Sequence, residues 1–191
     1  MRTLGILAGK GELPARLIAA CRASGRPVFV LAFEGQTDAA LVDGVAHGWC
    51  LLGAAGTAFK LLRENGVQDL VMACRITRPS LAELRPDLRA TRFFAKVGVK
   101  ALGDDGLLSS VVREIESEGF KVVGPDEVLA DLIAPPGLYT KHAPDEQAHA
   151  DIERGRRVAR ELGRIDVGQA VVVQQGLVLG VEAIEGTDAL L

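Results

Sequence analysis

The chain has 191 residues, 48% of them hydrophobic and 25% charged, with 22 Gly and only 6 Phe, 1 Trp and 1 Tyr. That composition belongs to a globular protein of one or two domains and excludes a disordered tail, a collagen-like rod and a coiled coil. With 22 Lys and Arg against 25 Asp and Glu, the net charge of −3 argues against a dedicated nucleic-acid binder, which would be strongly basic.

Met1-Arg2-Thr3 leads directly into the apolar run Leu4–Ala8 without a signal-peptide pattern. The run predicts a short strand, and Gly9-Lys10-Gly11 a turn after it. From Leu13 to about Ser24, apolar residues at 13, 17, 18 and 21 have helical spacing. Gly25-Arg26-Pro27 closes that helix, and Val28–Phe33 predicts the next strand. His47–Leu52 is a weaker strand candidate. Thr57–Glu64 predicts a helix that Asn65-Gly66 ends, and Asp69–Ala73 a buried strand. Leu107–Glu118 is helical by its apolar residues at 108, 111, 112 and 115, stops at Gly119, and leads into Phe120–Val123. Alternating βαβα segments with near-continuous apolar strands predict an α/β fold, its parallel sheet covered on both faces.

Ala134-Pro135-Pro136-Gly137 breaks the chain, because two prolines and a glycine continue neither a helix nor a central strand. The expected organisation is a first domain over 1–134, a linker over 135–144 and a second piece over 145–191. In that piece Asp145–Leu162 predicts a helix. Asp166–Val173, the turn Gln174-Gln175-Gly176 and Leu177–Ile184 predict a β-hairpin. A piece of about 50 residues is marginal alone. The chain ends at Thr187-Asp188-Ala189-Leu190-Leu191, and Thr or Asp before apolar residues is how a helix begins. The second domain is therefore expected to be incomplete here or completed by another chain.

Cys21, Cys50 and Cys74 are odd in number and form no CxxC pair. They read as small buried residues of a reducing compartment. No run approaches the ~18 apolar residues that span a bilayer, so the expected protein is soluble and cytosolic, free to touch a membrane surface. His47, His142 and His149 form no metal set. The sequence contains no GxSxG, HExxH, P-loop or Cys/His nucleophile arrangement.

Four segments carry candidate chemistry. The first is Gly9-Lys10-Gly11-Glu12-Leu13-Pro14, a strand-to-helix glycine turn that presents N–H groups and a helix dipole to an anion. It is only a partial dinucleotide fingerprint, because Pro14 stands where the third glycine would be and Glu34 is the only loose candidate for the acidic partner. The second is 75–100, where Arg75, Arg78, Arg85, Arg89, Arg92, Lys96 and Lys100 face only Glu83 and Asp87. On a helix after Pro86, residues 89, 92, 96 and 100 align on one face, to grip a pyrophosphate or to lie against anionic headgroups. Phe93-Phe94 inside the row fits an interfacial helix; the alternative is a solvated basic face with both rings in the core.

The third is Gly103-Asp104-Asp105-Gly106, a helix cap or a carboxylate pair for Mg²⁺. The fourth and most specific is the tail. Ile165–Val173 is followed by Val181–Leu191, where Glu182 sits in an apolar strand and Glu185, Thr187 and Asp188 crowd one turn. Carboxylates, a hydroxyl and helix N–H groups at one point suit a phosphate–metal centre; an ordinary hydroxyl-capped turn with solvated acids is the alternative.

The segments LGILAGKGELP, KALGDDGLL and IDVGQAVVV…VEAIEGTDALL together resemble the LpxI-type UDP-2,3-diacylglucosamine pyrophosphatases of lipid A biosynthesis in Gram-negative bacteria. The resemblance covers the whole chain, and the last pair is its longest and most specific part. It implies a Rossmann-like N-terminal domain joined to a family-specific C-terminal domain with substrate between them. The implied reaction is Mg²⁺-dependent hydrolysis, with Mn²⁺ as the substitute ion, of UDP-2,3-diacylglucosamine to UMP and 2,3-diacylglucosamine 1-phosphate (lipid X). Water would attack the α-phosphorus.

On the matching positions, Gly11 and Glu12 would line the nucleotide side, and Thr187 and Asp188 would face the phosphates. Lys100, Asp104 and Gln169 are further contacts. Asp188 is the catalytic candidate within this chain, although the family continues beyond EGTDALL and its main catalytic Asp is expected past residue 191. The resemblance also implies peripheral attachment to the inner membrane from the cytoplasm; the charge balance leaves no nucleic-acid partner expected, and a homodimer is the candidate oligomer. The residues alone leave two other classes open: a non-catalytic nucleotide- or lipid-binding module, and a Rossmann-type NAD(P) oxidoreductase. Uridine selectivity against adenine selectivity in a nucleotide titration separates the pyrophosphatase from the dehydrogenase.

Overall fold

The computed structural model describes residues 1–73, 84–97 and 104–191. The chain divides into two units, Met1–Val99 with Ser109–Ala134 and Lys100–Leu108 with Pro135–Leu191.

The first unit is built on β1 (Thr3–Ala8), α1 (Leu13–Ser24), β2 (Val28–Phe33), β3 (His47–Cys50), α2 (Ala55–Glu64) and β4 (Val67–Ala73). It continues through α3 (Leu88–Val97), α4 (Asp104–Ser117, which starts in the second unit) and β5 (Lys121–Val122). Pro14 sits in the first turn of α1, where a missing N–H costs nothing, and left-handed Gly25 ends the helix. The five strands form one parallel sheet in the order β3-β2-β1-β4-β5. This is the α/β, Rossmann-like architecture expected from the alternating segments. Strand β1 is central, and from Leu4 to Ala8 every residue is buried.

Alternate residues of β1 serve opposite faces of the sheet. Leu4, Ile6 and Ala8 join Leu17, Ile18 and Cys21 of α1 in one core. Leu7 joins Phe59 and Leu62 of α2 and Ile115 of α4 in the other. Both faces are thus dry, which is why the strands read as continuous apolar runs rather than alternating ones. Truncating a fully buried side chain such as Leu17 would cost about 3 kcal/mol. Cys21 and Cys50 are buried and unpaired with each other. Burial raises both thiols, Cys50 to about 11 with help from Glu34 and Cys21 less far because Arg26 opposes it. Both stay protonated near neutral pH, which makes them packing residues rather than nucleophiles. Cys74 lies outside the described residues.

Near the amino ends of these strands sits a buried charge. Asp69 of β4 is 6% exposed; its Oδ2 accepts a hydrogen bond from Arg26 at 2.7 Å, and Arg2 Nε is an ion-pair neighbour 3.1 Å from Oδ1. Arg26 also donates to the Arg2 carbonyl. The aspartate therefore ties β4 to the start of β1 and to the α1–β2 turn.

The second unit has α5 (Glu146–Arg164), the antiparallel pair β6 (Val171–Gln174) and β7 (Leu177–Val181), and the single turn α6 (Thr187–Leu190). Asp145 caps α5 through Ala148 N–H, 2.8 Å away. Asp151 on α5 accepts from the N–H groups of Gln175 and Gly176 at 2.8 and 2.7 Å, so the helix holds the hairpin turn. Strand β6 begins at Val171 rather than at the expected Asp166 and includes Gln174, and β7 stops at Val181, short of the expected Ile184. The chain leaves β7 at Glu182 to make the turn into α6. No helix among the described residues is long and apolar enough to cross a membrane.

Removing the carboxylate of Asp69 leaves the two arginines without their counter-charge, so Asp69→Ala should lower stability by about 3 kcal/mol. Urea unfolding checks this: the midpoint should fall with an unchanged m-value. An unshifted midpoint would remove the ion pair from the fold's support.

Candidate functional site

Strand order reverses at β1, which has β2 on one side and β4 on the other. In open α/β sheets ligands bind where such a reversal opens a crevice at the carboxyl ends of the strands. Here that place is the turn Gly9–Glu12. Gly9 N–H donates to the Ala73 carbonyl at 3.1 Å, which fastens the turn to the end of β4. Gly11 has φ +100, and a Cβ there would meet nothing within 4 Å. The glycine is required by backbone conformation alone. Glu12 is exposed and precedes α1 without capping it by its side chain.

Thr37 belongs to no motif in the sequence, yet it supports this turn. Its hydroxyl donates to the Ala8 carbonyl at 2.6 Å and accepts from Phe33 N–H at 2.8 Å. This one side chain locks the carboxyl ends of β1 and β2 together beside the turn. Only its distance from the turn in sequence, 29 residues from Ala8, hid the role.

In the second unit the tail residues do converge. Glu182 is 6% exposed, and among the described residues of this unit it is the only buried side chain. Its Oε1 accepts from the Thr187 hydroxyl at 2.7 Å and its Oε2 from Gln169 N–H at 2.8 Å. Its own N–H donates to the Ala170 carbonyl at 2.9 Å. The Thr187 hydrogen bond, then the Gln169 one, hold this carboxyl below its ordinary range, and desolvation opposes them only in part. Gly168 makes the approach possible, because a Cβ there would stand 2.2 Å from the Glu182 carbonyl oxygen. Gln169 and Thr187, separate in sequence, are thus brought to one carboxylate. Exposed Asp188 follows in the first turn of α6.

Asp104 is the first residue of α4, and Asp166 Oδ2 accepts from Gly106 N–H at 3.4 Å. The GDDG and IDVGQ segments therefore meet within the second unit, and Asp166 takes part in the capping expected of the GDDG aspartates. Lys100 lies outside the described residues, as do Arg75, Arg78 and Glu83. Gly11 and Glu12 belong to the first unit, and Gln169, Thr187 and Asp188 to the second. Among the described residues no three His, Cys, Asp or Glu side chains gather as a metal set.

The basic row fits neither expectation whole. Arg89 pairs with Glu118 and lies 5.1 Å from the centre of the Phe59 ring, so it is a structural cation. Arg92 and Lys96 are exposed, Phe93 is half-buried and Phe94 is 38% exposed. Asp87, which counted only as a charge opposing the row, caps two helices. Its oxygens accept from Ala90 N–H of α3 and Gly56 N–H of α2, both at 2.7 Å.

Comparison with known proteins gives two findings. Residues 3–132 match the LpxI N-terminal domain and residues 135–191 the LpxI C-terminal domain. A protein of Caulobacter vibrioides named UDP-2,3-diacylglucosamine pyrophosphatase LpxI is 41% identical over 192 residues, covering 100% of this chain and 68% of the relative.

Because the fold favours ionised Glu182, the unfolded chain binds an extra proton as pH falls through the carboxylate range. The stability this group adds is complete above its ordinary value of 4.5 and is lost as pH drops through the lowered one. Amide protection factors of residues 168–190, which are exchange rates corrected for the intrinsic pH dependence of exchange, should therefore fall on acidification below about pH 4.5 in the wild type, with a weaker pH dependence in Glu182→Gln. Identical pH dependence in the two proteins would show that this carboxylate does not stabilise the turn.

Proposed function

This chain belongs to the LpxI family, and on that premise we propose that it hydrolyses the pyrophosphate of UDP-2,3-diacylglucosamine to UMP and lipid X, in lipid A biosynthesis, by attack of water at the α-phosphorus. The observation that carries this reading is the 41% identity running over the whole chain, both units included, to a pyrophosphatase of that name. The chemistry supports it. Cleaving a diphosphate needs neutralised phosphate charge and a placed water, not a nucleophilic side chain.

The Gly9–Glu12 turn takes the nucleotide end, offering backbone N–H groups at the reversal of strand order. Gln169, Thr187 and Asp188 meet the reacting end, with Lys100 and Asp104 as further contacts. Mg²⁺, with Mn²⁺ as its substitute, needs only one or two protein carboxylates beside phosphate oxygens and water. Asp188 would supply one of these, and the ion's charge would offset that of the diphosphate. The acyl chains of the substrate place the enzyme at the cytoplasmic face of the inner membrane, where exposed Arg92 and Lys96 meet anionic headgroups.

Incubated with UDP-2,3-diacylglucosamine and Mg²⁺, the protein should release UMP, stop on chelation and prefer uridine to adenine nucleotides in titration. Asp188→Ala should lower kcat by about 100-fold with an unchanged melting temperature. Adenine preference without UMP release would contradict the reading, and a near-normal rate in Asp188→Ala would remove that carboxylate from the site. Arg92→Glu with Lys96→Glu should abolish sedimentation with phosphatidylglycerol vesicles, and unaltered sedimentation would assign those two side chains to plain solvation.

A further inference from the structure

A carboxylate cannot donate a hydrogen bond, so the 2.7 Å contact between Thr187 Oγ1 and Glu182 Oε1 has one direction: the hydroxyl proton points at Glu182. The other carboxylate oxygen is engaged by Gln169 N–H, which is also only a donor. Both partners give protons and the carboxylate gives none. Held this way, Thr187 has only its lone pairs to offer a ligand. A phosphate oxygen, itself an acceptor when ionised, is the wrong partner for it; an O–H group is the right one.

We infer that Glu182 is a positioning residue that fixes the hydrogen-bonding polarity of Thr187, so that Thr187 accepts from a hydroxyl of the substrate or from a water beside the diphosphate, rather than donating to a phosphate oxygen. The inference rests on the reading that places Thr187 in the substrate site, and it changes what that residue does there. Glu182 is buried and has one donor on each carboxylate oxygen, so the carboxylate itself is not the part of this pair that meets the ligand. Thr187 is only half-buried, and its lone pairs are the part of this pair that a ligand can reach. The lowered proton affinity of Glu182 keeps it ionised through the neutral range, so the polarity holds under working conditions.

Glu182→Gln tests this with almost no change of shape. Gln169 N–H still requires an acceptor, so the amide oxygen takes Oε2's place and the amide NH₂ faces Thr187. The amide then donates to Oγ1, the hydroxyl turns over, and Thr187 becomes an outward donor. Turnover of UDP-2,3-diacylglucosamine should fall about 10- to 100-fold in Glu182→Gln and equally in Thr187→Val. The double variant should lose no more than either single one, because both remove the same acceptor. Thr187→Ser should retain most of the activity. If the donor is water, kcat falls with KM unchanged; if it is a substrate hydroxyl, KM rises. Either split supports the inference.

Wild-type turnover in Glu182→Gln, or multiplicative losses in the double variant, would overturn it. Should the wild type neither bind nor cleave the substrate, the pyrophosphatase reading fails, and the polarity is then decided in the protein alone. The Thr187 hydroxyl proton, slowed in exchange by its carboxylate partner, should give an NMR signal in the wild type that shifts strongly upfield or is lost to solvent exchange in Glu182→Gln. An unshifted signal would contradict the assigned direction.

Discussion

Strand β1 has a parallel neighbour on each side and a helical layer on each face, so five consecutive residues from Leu4 to Ala8 are buried. That constraint organises the first unit. A strand buried on both faces must be apolar throughout, and its chain can turn only where the sheet ends. At one end Asp69 draws Arg2 and Arg26 together. At the other, Thr37 bonds the Ala8 carbonyl and Gly9 bonds that of Ala73. With both ends fixed, Gly9–Glu12 emerges at the reversal of strand order, the place such sheets keep for ligands. Gly11 is needed there because the backbone turns through a φ of +100 that other residues rarely adopt.

The second unit is organised by the opposite device. Among its described residues the buried side chain is a carboxylate, not a hydrocarbon. A buried charge persists when donors meet its oxygens, and each carboxylate oxygen of Glu182 has one, the Thr187 hydroxyl on Oε1 and the Gln169 N–H on Oε2. Such a centre adds direction that an apolar contact lacks. It determines which way the Thr187 hydroxyl points and brings Gln169 to the same place. Asp151 works in the same way at the far end of the hairpin, where it takes the two turn N–H groups.

Much of this was legible in the sequence, for physical reasons. Strands buried on both faces announce themselves as unbroken apolar runs, so Val28–Phe33 was placed to the residue. Proline at the start of α1 and glycine at its end fixed Leu13–Ser24 equally well. Glu182 was conspicuous as an acid in an apolar strand, and crowding at 185–188 pointed to the same turn. What stayed hidden was pairing at long range. Asp87 looked like a charge opposing a basic row, yet its partner Gly56 lies 31 residues earlier and turns it into a cap. Arg89 looked like part of an anion-binding row until Glu118 and Phe59 claimed it. Periodicity could not show that the hairpin would end at Val181, because the chain leaves it to satisfy Glu182, not to continue its alternation.

The central claim is that this chain cleaves a nucleotide–lipid diphosphate with water as the nucleophile, and isotope transfer tests it most directly. Turnover of UDP-2,3-diacylglucosamine with Mg²⁺ in ¹⁸O-labelled water should place one labelled oxygen in UMP and none in lipid X. Label in lipid X would mean attack at the other phosphorus and contradict the proposed chemistry. Failure to cleave a bound substrate would contradict the assignment of turnover to this chain.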